Sequence, residues 1–191
     1  TYGNILPFML TPIVKTKLYN GTNDVSLTLS GIFIGDSIFY TNNYSFIDRF
    51  VGNNKLVSIS ASLFGPDSKN YIIPTIGQGN ILPYPIQITN INKIYDGNNL
   101  AYLTFDTISG IYEIDRNFIS ISNNIGRYSS INIGNNILVT ISGQQPVLYG
   151  TASINYYISP YIYYGSIYPR TIYATSINKI YDATISATIT L

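Results

Sequence analysis

The sequence predicts an all-β chain, built as tandem small β-sandwich domains (Ig-like or similar) joined by short Pro-containing linkers. Three observations carry that expectation. Val, Ile, Thr, Tyr and Phe dominate, with 34 Ile and 19 Tyr in 191 residues, while good helix formers are scarce. Apolar residues alternate with Ser and Thr over short runs, as in a strand that turns one face to a core. Two separate motifs recur along the chain at shared spacings, the mark of a duplicated unit.

In chain order, Gly3-Asn4-Ile5-Leu6-Pro7 returns as Gly79-Asn80-Ile81-Leu82-Pro83, then more loosely as Gly165-Ser166-Ile167-Tyr168-Pro169. Next, Lys17-Leu18-Tyr19-Asn20-Gly21 returns as Lys93-Ile94-Tyr95-Asp96-Gly97 and as Lys179-Ile180-Tyr181-Asp182-Ala183. Both motifs recur after 76 and then 86 residues. The Asn-Gly or Asp-Gly pair supplies the positive φ of a tight turn. Ala183 lacks glycine's freedom, so the third turn is expected to be different or strained. A strand follows each turn. Val25, Leu27 and Leu29 align without gaps to Ala101, Leu103 and Phe105, then to Ala187, Ile189 and Leu191.

Val51-Gly52-Asn53-Asn54 matches Ile133-Gly134-Asn135-Asn136, 82 residues on, and each reads as a turn ahead of an alternating strand. Those strands are Val57-Ser58-Ile59-Ser60-Ala61 and Val139-Thr140-Ile141-Ser142. The repeats divide the chain into 1–9 (tail or linker of a preceding repeat), 10–84 (first repeat), 85–170 (second repeat) and 171–191 (first strands of a further one). The boundaries fall near Pro83-Tyr84-Pro85 and Pro169, where proline biases the chain toward extended conformations. About 80 residues with six or seven short strands is the size of a small sandwich domain.

Composition removes several kinds of chemistry. His, Cys and Trp are absent, so there is no imidazole base, thiol nucleophile, Cys/His zinc site or disulfide framework. Ten Lys and Arg against nine Asp and Glu leave a net charge of +1, without the basic excess that neutralises nucleic-acid phosphates. No stretch approaches the ~20 apolar residues of a membrane span. The opening lacks Met, a basic region and a long apolar run, so it reads as mid-chain rather than as a signal peptide.

No Asp-x-Asp-x-Asp loop offers calcium a site, and Gly77-Gln78-Gly79-Asn80 lacks the third glycine and following helix of a phosphate loop. Ser68-Lys69 reads as a polar loop. Glu113-Ile114-Asp115 places two carboxylates close together, read as one face of a strand at a solvated hairpin end; the sharper alternative is a general acid/base pair. The expectation is a chain with no catalytic residues, no metal and no cofactor, and not an enzyme.

The segment Ile91-Asn92-Lys93-Ile94-Tyr95-Asp96-Gly97, with Leu100-Ala101-Tyr102-Leu103-Thr104 behind it, resembles the opening of the YDG repeat, roughly Asn-Lys-Val-Tyr-Asp-Gly-Thr-Thr and a short strand. Ser30-Gly31 and Gly35-Asp36 are similar to that repeat's Ser-Gly and Gly-Asp steps, and Asn70-Tyr71 and Asn155-Tyr156 to its late Asn-Tyr. Asn20 and Ala183 depart from the pattern, as do the Ile/Asn/Tyr-rich surroundings. YDG repeats occur in tandem in large bacterial surface adhesins, including filamentous-haemagglutinin-like proteins. The resemblance therefore implies a non-catalytic structural segment of an extracellular adhesin or fibre, at a cell or virion surface, acting as stalk, spacer or assembly unit. It marks Tyr19, Asn20, Gly21, Tyr95, Asp96, Gly97, Tyr181 and Asp182 as structural turn residues, and names no ligand site.

Two further groups stand out. Tyr156, Tyr157, Tyr161, Tyr163 and Tyr164 could present aromatic faces to a glycan or another subunit, though their alternation equally suits a half-buried strand. Lys17, Lys93 and Lys179 share one position in the repeat, read as a packed stem with a wet head, against an intramolecular amide crosslink as the alternative. The expected partners are neighbouring repeats or other copies of the chain, with a host surface or glycan as a further class; nucleic acid and membrane insertion are not expected. Competing readings are a virion or appendage fibre subunit polymerising through its terminal strands, and a glycan-binding β module.

Overall fold

The alternating runs become strands, and the turn motif sets where each main sheet begins. The computed structural model describes residues 3–89, 91–104, 108–122, 124–141, 145–159 and 162–190, and it is all-β apart from short 3₁₀ turns. The first repeat carries β1 (Phe8–Met9), β2 (Thr11–Val14), β3 (Lys17–Leu18), β4 (Leu27–Ser30) and β5 (Phe39–Tyr40). It continues with β6 (Tyr44–Phe46), β7 (Gly52–Ile59), β8 (Leu63–Phe64), β9 (Tyr71–Ile72) and β10 (Ile76–Leu82). Its main sheet has the order β3-β10-β7-β6, and β2–β4, β5–β8 and parallel β1–β9 form separate pairs.

The second repeat follows the same plan. It carries β11 (Tyr84–Ile88), β12 (Ile91–Ile94), β13 (Leu100–Leu103), β14 (Ile108–Ser109), β15 (Ser120–Ile121) and β16 (Asn124–Tyr128). After these come β17 (Gly134–Ile141), β18 (Leu148–Tyr149), β19 (Tyr156–Ile158) and β20 (Tyr163–Tyr168). The main sheet is β12-β20-β17-β16-β13.

Each repeat is closed by a parallel pairing of an early strand with its last one. Lys17 lies opposite Ile81 and Lys93 opposite Ile167, and the Tyr19 and Tyr95 amides donate to Leu82 O and Tyr168 O, both at 2.8 Å. A second clasp recurs just after the turn. The Phe46 amide donates to Asn23 O while Asn23 Nδ2 donates back to Phe46 O, and Tyr128 and Asn99 exchange the same two bonds. The cores follow the alternation: Leu27, Leu29, Phe46, Val57 and Ile81 are buried in the first repeat, and Ala101, Leu103, Tyr128, Val139 and Ile167 in the second. Phe105 and Leu191, aligned with this face, lie outside the described residues.

Two expectations change. Gly52-Asn53-Asn54 and Gly134-Asn135-Asn136 are bulges inside β7 and β17, not turns ahead of them: the register slips at this point in both pairings, and Asn54 and Asn136 take φ of 51° and 53°. Asparagine tolerates that left-handed geometry better than a β-branched residue. Glu113, Ile114 and Asp115 are not on a strand but in the 3₁₀ turn Glu113–Phe118. A three-residue period puts Glu113 beside Arg116 in solvent (3.0 Å) and turns Asp115 inward to full burial. The hairpin-end reading of that pair is therefore corrected. At the junction between repeats, β10 ends at Leu82 and β11 begins at Tyr84, so the connection is Pro83 alone.

The last described stretch forms the hairpin β21 (Thr175–Ser176) with β22 (Ile189–Thr190). Thr175 faces Thr190 and Ser176 faces Ile189, as Ile13 faces Thr28 and Val14 faces Leu27 in the first repeat. Its apolar residues Ile172, Ile185 and Ile189 are exposed.

The two glycines that share a place in the last strand, Gly79 and Gly165, give a test of this packing. A methyl on Gly165 would run into the backbone carbonyl of Ile91, which also receives the Tyr128 hydroxyl; at Gly79 it would meet the Val14 side chain, which can rotate away. Gly165→Ala is expected to cost about 3 kcal/mol or more, and Gly79→Ala about 1–2 kcal/mol, in urea unfolding followed by tyrosine fluorescence. Equal costs would mean that backbone crowding does not govern the position.

Candidate functional site: a buried joint between the repeats

The turn residues build one half of the site. In all three copies the residue after the tyrosine closes an Asx turn: Asn20, Asp96 and Asp182 Oδ1 accept the amides of Thr22, Asn98 and Thr184 at 3.1, 3.1 and 3.0 Å. Gly21 and Gly97 then take φ of 80° and 81°, and Ala183 adopts the same left-handed geometry at 60°, so the third turn is strained rather than different.

The repeated lysine staples each loop. Lys17 Nζ donates to Thr22 O (3.2 Å) and Asp24 Oδ1 (2.7 Å), Lys93 to Asn98 O (3.2 Å) with Asp96 at 2.6 Å, and Lys179 to Thr184 O (2.9 Å) and Asp182 Oδ1 (2.7 Å). Where Asn20 removes the carboxylate, Asp24 supplies one from four residues on. The lysines hold the Asp24, Asp96 and Asp182 carboxyls below their usual range. Each lysine head is thus tied to oxygen acceptors of its own loop.

Tyr19 carries this turn into the next repeat. Its side chain is fully buried, and its hydroxyl donates to Asp115 Oδ2 at 2.6 Å. The same oxygen accepts the Tyr156 hydroxyl at 2.8 Å, and Arg49 Nη2 reaches Asp115 Oδ1 at 3.2 Å. Two donors thus come from the first repeat, and the acceptor with its third donor from the second. The Tyr156 hydroxyl in turn accepts the Tyr112 amide at 3.1 Å, so the phenol is held at both ends.

Rings fill the space around these bonds. Tyr19 meets Tyr156 and Tyr112 edge-on, with centroids 5.5 and 6.0 Å apart, and Tyr84 meets Tyr112 at 5.3 Å. The Val51 amide donates across the boundary to Asn155 Oδ1 at 3.2 Å. Gly21 passes close to Ile114 and Tyr112.

The electrostatics of the joint follow from its burial. Taking a carboxylate out of water costs several kcal/mol unless it is paired and hydrogen-bonded. Asp115 meets both conditions, with one guanidinium and two phenols on its oxygens. The phenols pay the reciprocal penalty of lying beside a negative charge. Burial first, then the bond and charge of Asp115, push the Tyr19 and Tyr156 hydroxyls far above their ordinary pKa. The joint therefore holds its phenols protonated, and it suits anchoring better than proton transfer. Among the described residues, no group of three or more Asp or Glu side chains is placed to hold a metal ion.

Comparison with known proteins places this joint between two units of one kind. A family model described as YDG domain matches residues 8–77 and 83–163. The chain belongs to the YDG domain family. No curated protein and no solved structure matches it. The joint thus links consecutive YDG domains, and the motif tyrosine that marks the family is the residue crossing between them.

The copies of that tyrosine sit differently. Tyr95 is 38% exposed and Tyr181 88%, where Tyr19 is fully buried. Of the five tyrosines read as a possible exposed surface, Tyr156 and Tyr163 are buried, which corrects that reading for both, while Tyr157 and Tyr164 alternate outward. Tyr161 lies outside the described residues. Sequence reasoning missed Arg49, Tyr112 and the role of Asp115. One signal could have found the last: Asp36 and Asp115 each follow an aromatic by three residues, Phe33 and Tyr112, and each precedes an Asn-Tyr step.

The raised phenol pKa values predict a loss of stability at alkaline pH. In the unfolded chain Tyr19 and Tyr156 ionise near pH ~10, whereas in the folded chain they stay protonated well above it. The unfolded state then binds fewer protons, so their contribution is complete below pH ~10 and falls as pH rises beyond it, by up to about 1.4 kcal/mol per pH unit for each group. Urea unfolding between pH 8 and 11 is expected to show this decline, and Tyr19→Phe with Tyr156→Phe to reduce its slope. An unchanged slope in the double variant would place the alkaline sensitivity elsewhere.

Proposed function

We propose that this chain is a non-catalytic structural segment of a long surface protein or fibre, in which YDG domains lock end to end into a stalk or spacer. The observation that carries the reading is the burial of Tyr19 of one domain on Asp115 of the next, across a connection of a single proline. A flexible tether would leave each domain its own closed surface. Here the acceptor carboxylate is satisfied only when both domains are in place, and such a joint resists bending because bending exposes a paired charge. Support for an extracellular setting, at a cell or virion surface, comes from the YDG resemblance to adhesin repeats. The absence of cysteine, histidine and tryptophan fits a chain whose work is mechanical.

Small-angle scattering is the direct test. The wild-type chain is expected to scatter as a single elongated body, and Asp115→Ala to scatter as two bodies with free relative orientation while each keeps its strand signal by circular dichroism. Wild-type scattering that already requires free orientation of the two domains would refute the stalk reading.

A further inference from the structure

The first domain repeats, side chain for side chain, the half of the joint that receives Tyr19. Tyr71 donates its hydroxyl to Asp36 Oδ2 at 2.5 Å, as Tyr156 does to Asp115. The Phe33 amide donates to the Tyr71 hydroxyl at 3.0 Å, as the Tyr112 amide does to Tyr156 at 3.1 Å. Asp36 N closes back on Phe33 O as Asp115 N closes on Tyr112 O. The rings correspond as well, since Phe8 meets Phe33 at 5.2 Å where Tyr84 meets Tyr112 at 5.3 Å.

The visitor is what differs. Among the described residues, no side chain stands to Asp36 as Tyr19 and Arg49 stand to Asp115. In their place lies an open cleft of ≈ 250 Å³ whose lining includes Phe8, Phe33, Asp36 and Tyr71. Phe8 and Phe33 are 45% and 60% exposed there.

The opposite end of the molecule repeats the inserting half. The Tyr95 amide is fixed to Tyr168 O as the Tyr19 amide is to Leu82 O, so the second turn projects from its sheet in the same way. Beside it, Ile131 and Ile133 occupy the sequence places of Arg49 and Val51, and both are exposed. The β21–β22 hairpin already has the register of a domain's first hairpin.

We propose that the Asp36–Tyr71 cleft is a docking socket for the turn tyrosine of another YDG domain, and that the Tyr95 turn is the matching plug. The occupant is defined by its chemistry: a tyrosine followed by an Asx-Gly turn, its hydroxyl donating to Asp36 Oδ1 or Oδ2 and its ring set edge-on to Phe33. Phe8 and Phe33 become buried when it arrives. This inference rests on the joint as read above, and not on the cellular location of the protein.

The chain itself supplies a seamless test. Residues 3–7 repeat residues 79–83 letter for letter, so a second copy of 3–78 can be inserted ahead of Gly3 without a foreign residue. The added domain then presents its own Tyr19 to the original Asp36. Hydrogen exchange at the amides of Phe33, Asp36 and Tyr71 is expected to slow about ten-fold or more relative to the chain as it stands. Asp36→Asn, or Tyr19→Phe in the added copy alone, is expected to return it to the original rate. Unchanged exchange, or protection that survives both substitutions, would overturn the socket, and so would an added domain that remains unfolded. The amides around Asp115 report on the established joint in the same experiment: protection there with none at Asp36 defeats this inference alone, and protection at neither defeats the stalk reading with it.

Discussion

A carboxylate buried at a boundary is the constraint from which the rest of this molecule follows. Asp115 has no exposure, and its oxygens are satisfied by donors drawn from both sides of the junction. For Tyr19 to reach it, the turn must project from the end of the first sheet, which the parallel β3–β10 pairing ensures. Gly21 must turn in the left-handed region while passing close to Ile114, and the connection must be too short to let the domains separate. Turn, sheet closure and one-residue junction are thus parts of one device for keeping a charge paired out of water.

The two domains show how such a device survives sequence drift. Asn20 cannot pair with Lys17 as Asp96 pairs with Lys93, yet Asp24 restores the carboxylate within the same loop. Phe8 and Tyr84, or Phe33 and Tyr112, differ by a hydroxyl and keep the same edge-on geometry. Ala183 keeps the left-handed turn without glycine and bears its strain. The lysine staple and the Asx turn, both local, tolerate exchange. The Tyr–Asp bond inside each domain keeps its chemistry, with Tyr71 on Asp36 and Tyr156 on Asp115 alike.

Much of the fold was legible because it is periodic. Leu27 and Leu29 alternate with polar residues and are buried, and Ala101 and Leu103 repeat that phase after a gap-free offset. The family was legible at Tyr95-Asp96-Gly97, where backbone demands restrict residue choice. The joint was not. Asp115 sits three residues into a 3₁₀ turn, whose period imitates neither helix nor strand, and its neighbour Glu113 suggested a pair that the structure separates. The extra residues between Phe105 and Ser109 also shift Asp115 out of the gap-free alignment, which hides its kinship with Asp36. Arg49 has Ile131 at its matching place, so comparing repeats could not reveal it. A contact made across a boundary leaves no periodic trace in either unit.

The central claim is that Tyr19 and Asp115 act together to hold one domain on the next. A double-mutant cycle in urea unfolding measures that directly, using Tyr19→Phe, Asp115→Asn and the pair. The two side chains are expected to couple by about 1.5–3 kcal/mol, the range for a hydrogen bond to a charged group, so that the second substitution costs far less once the first is made. Costs that add to within about 0.5 kcal/mol would show the two residues to be independent, and would contradict the account.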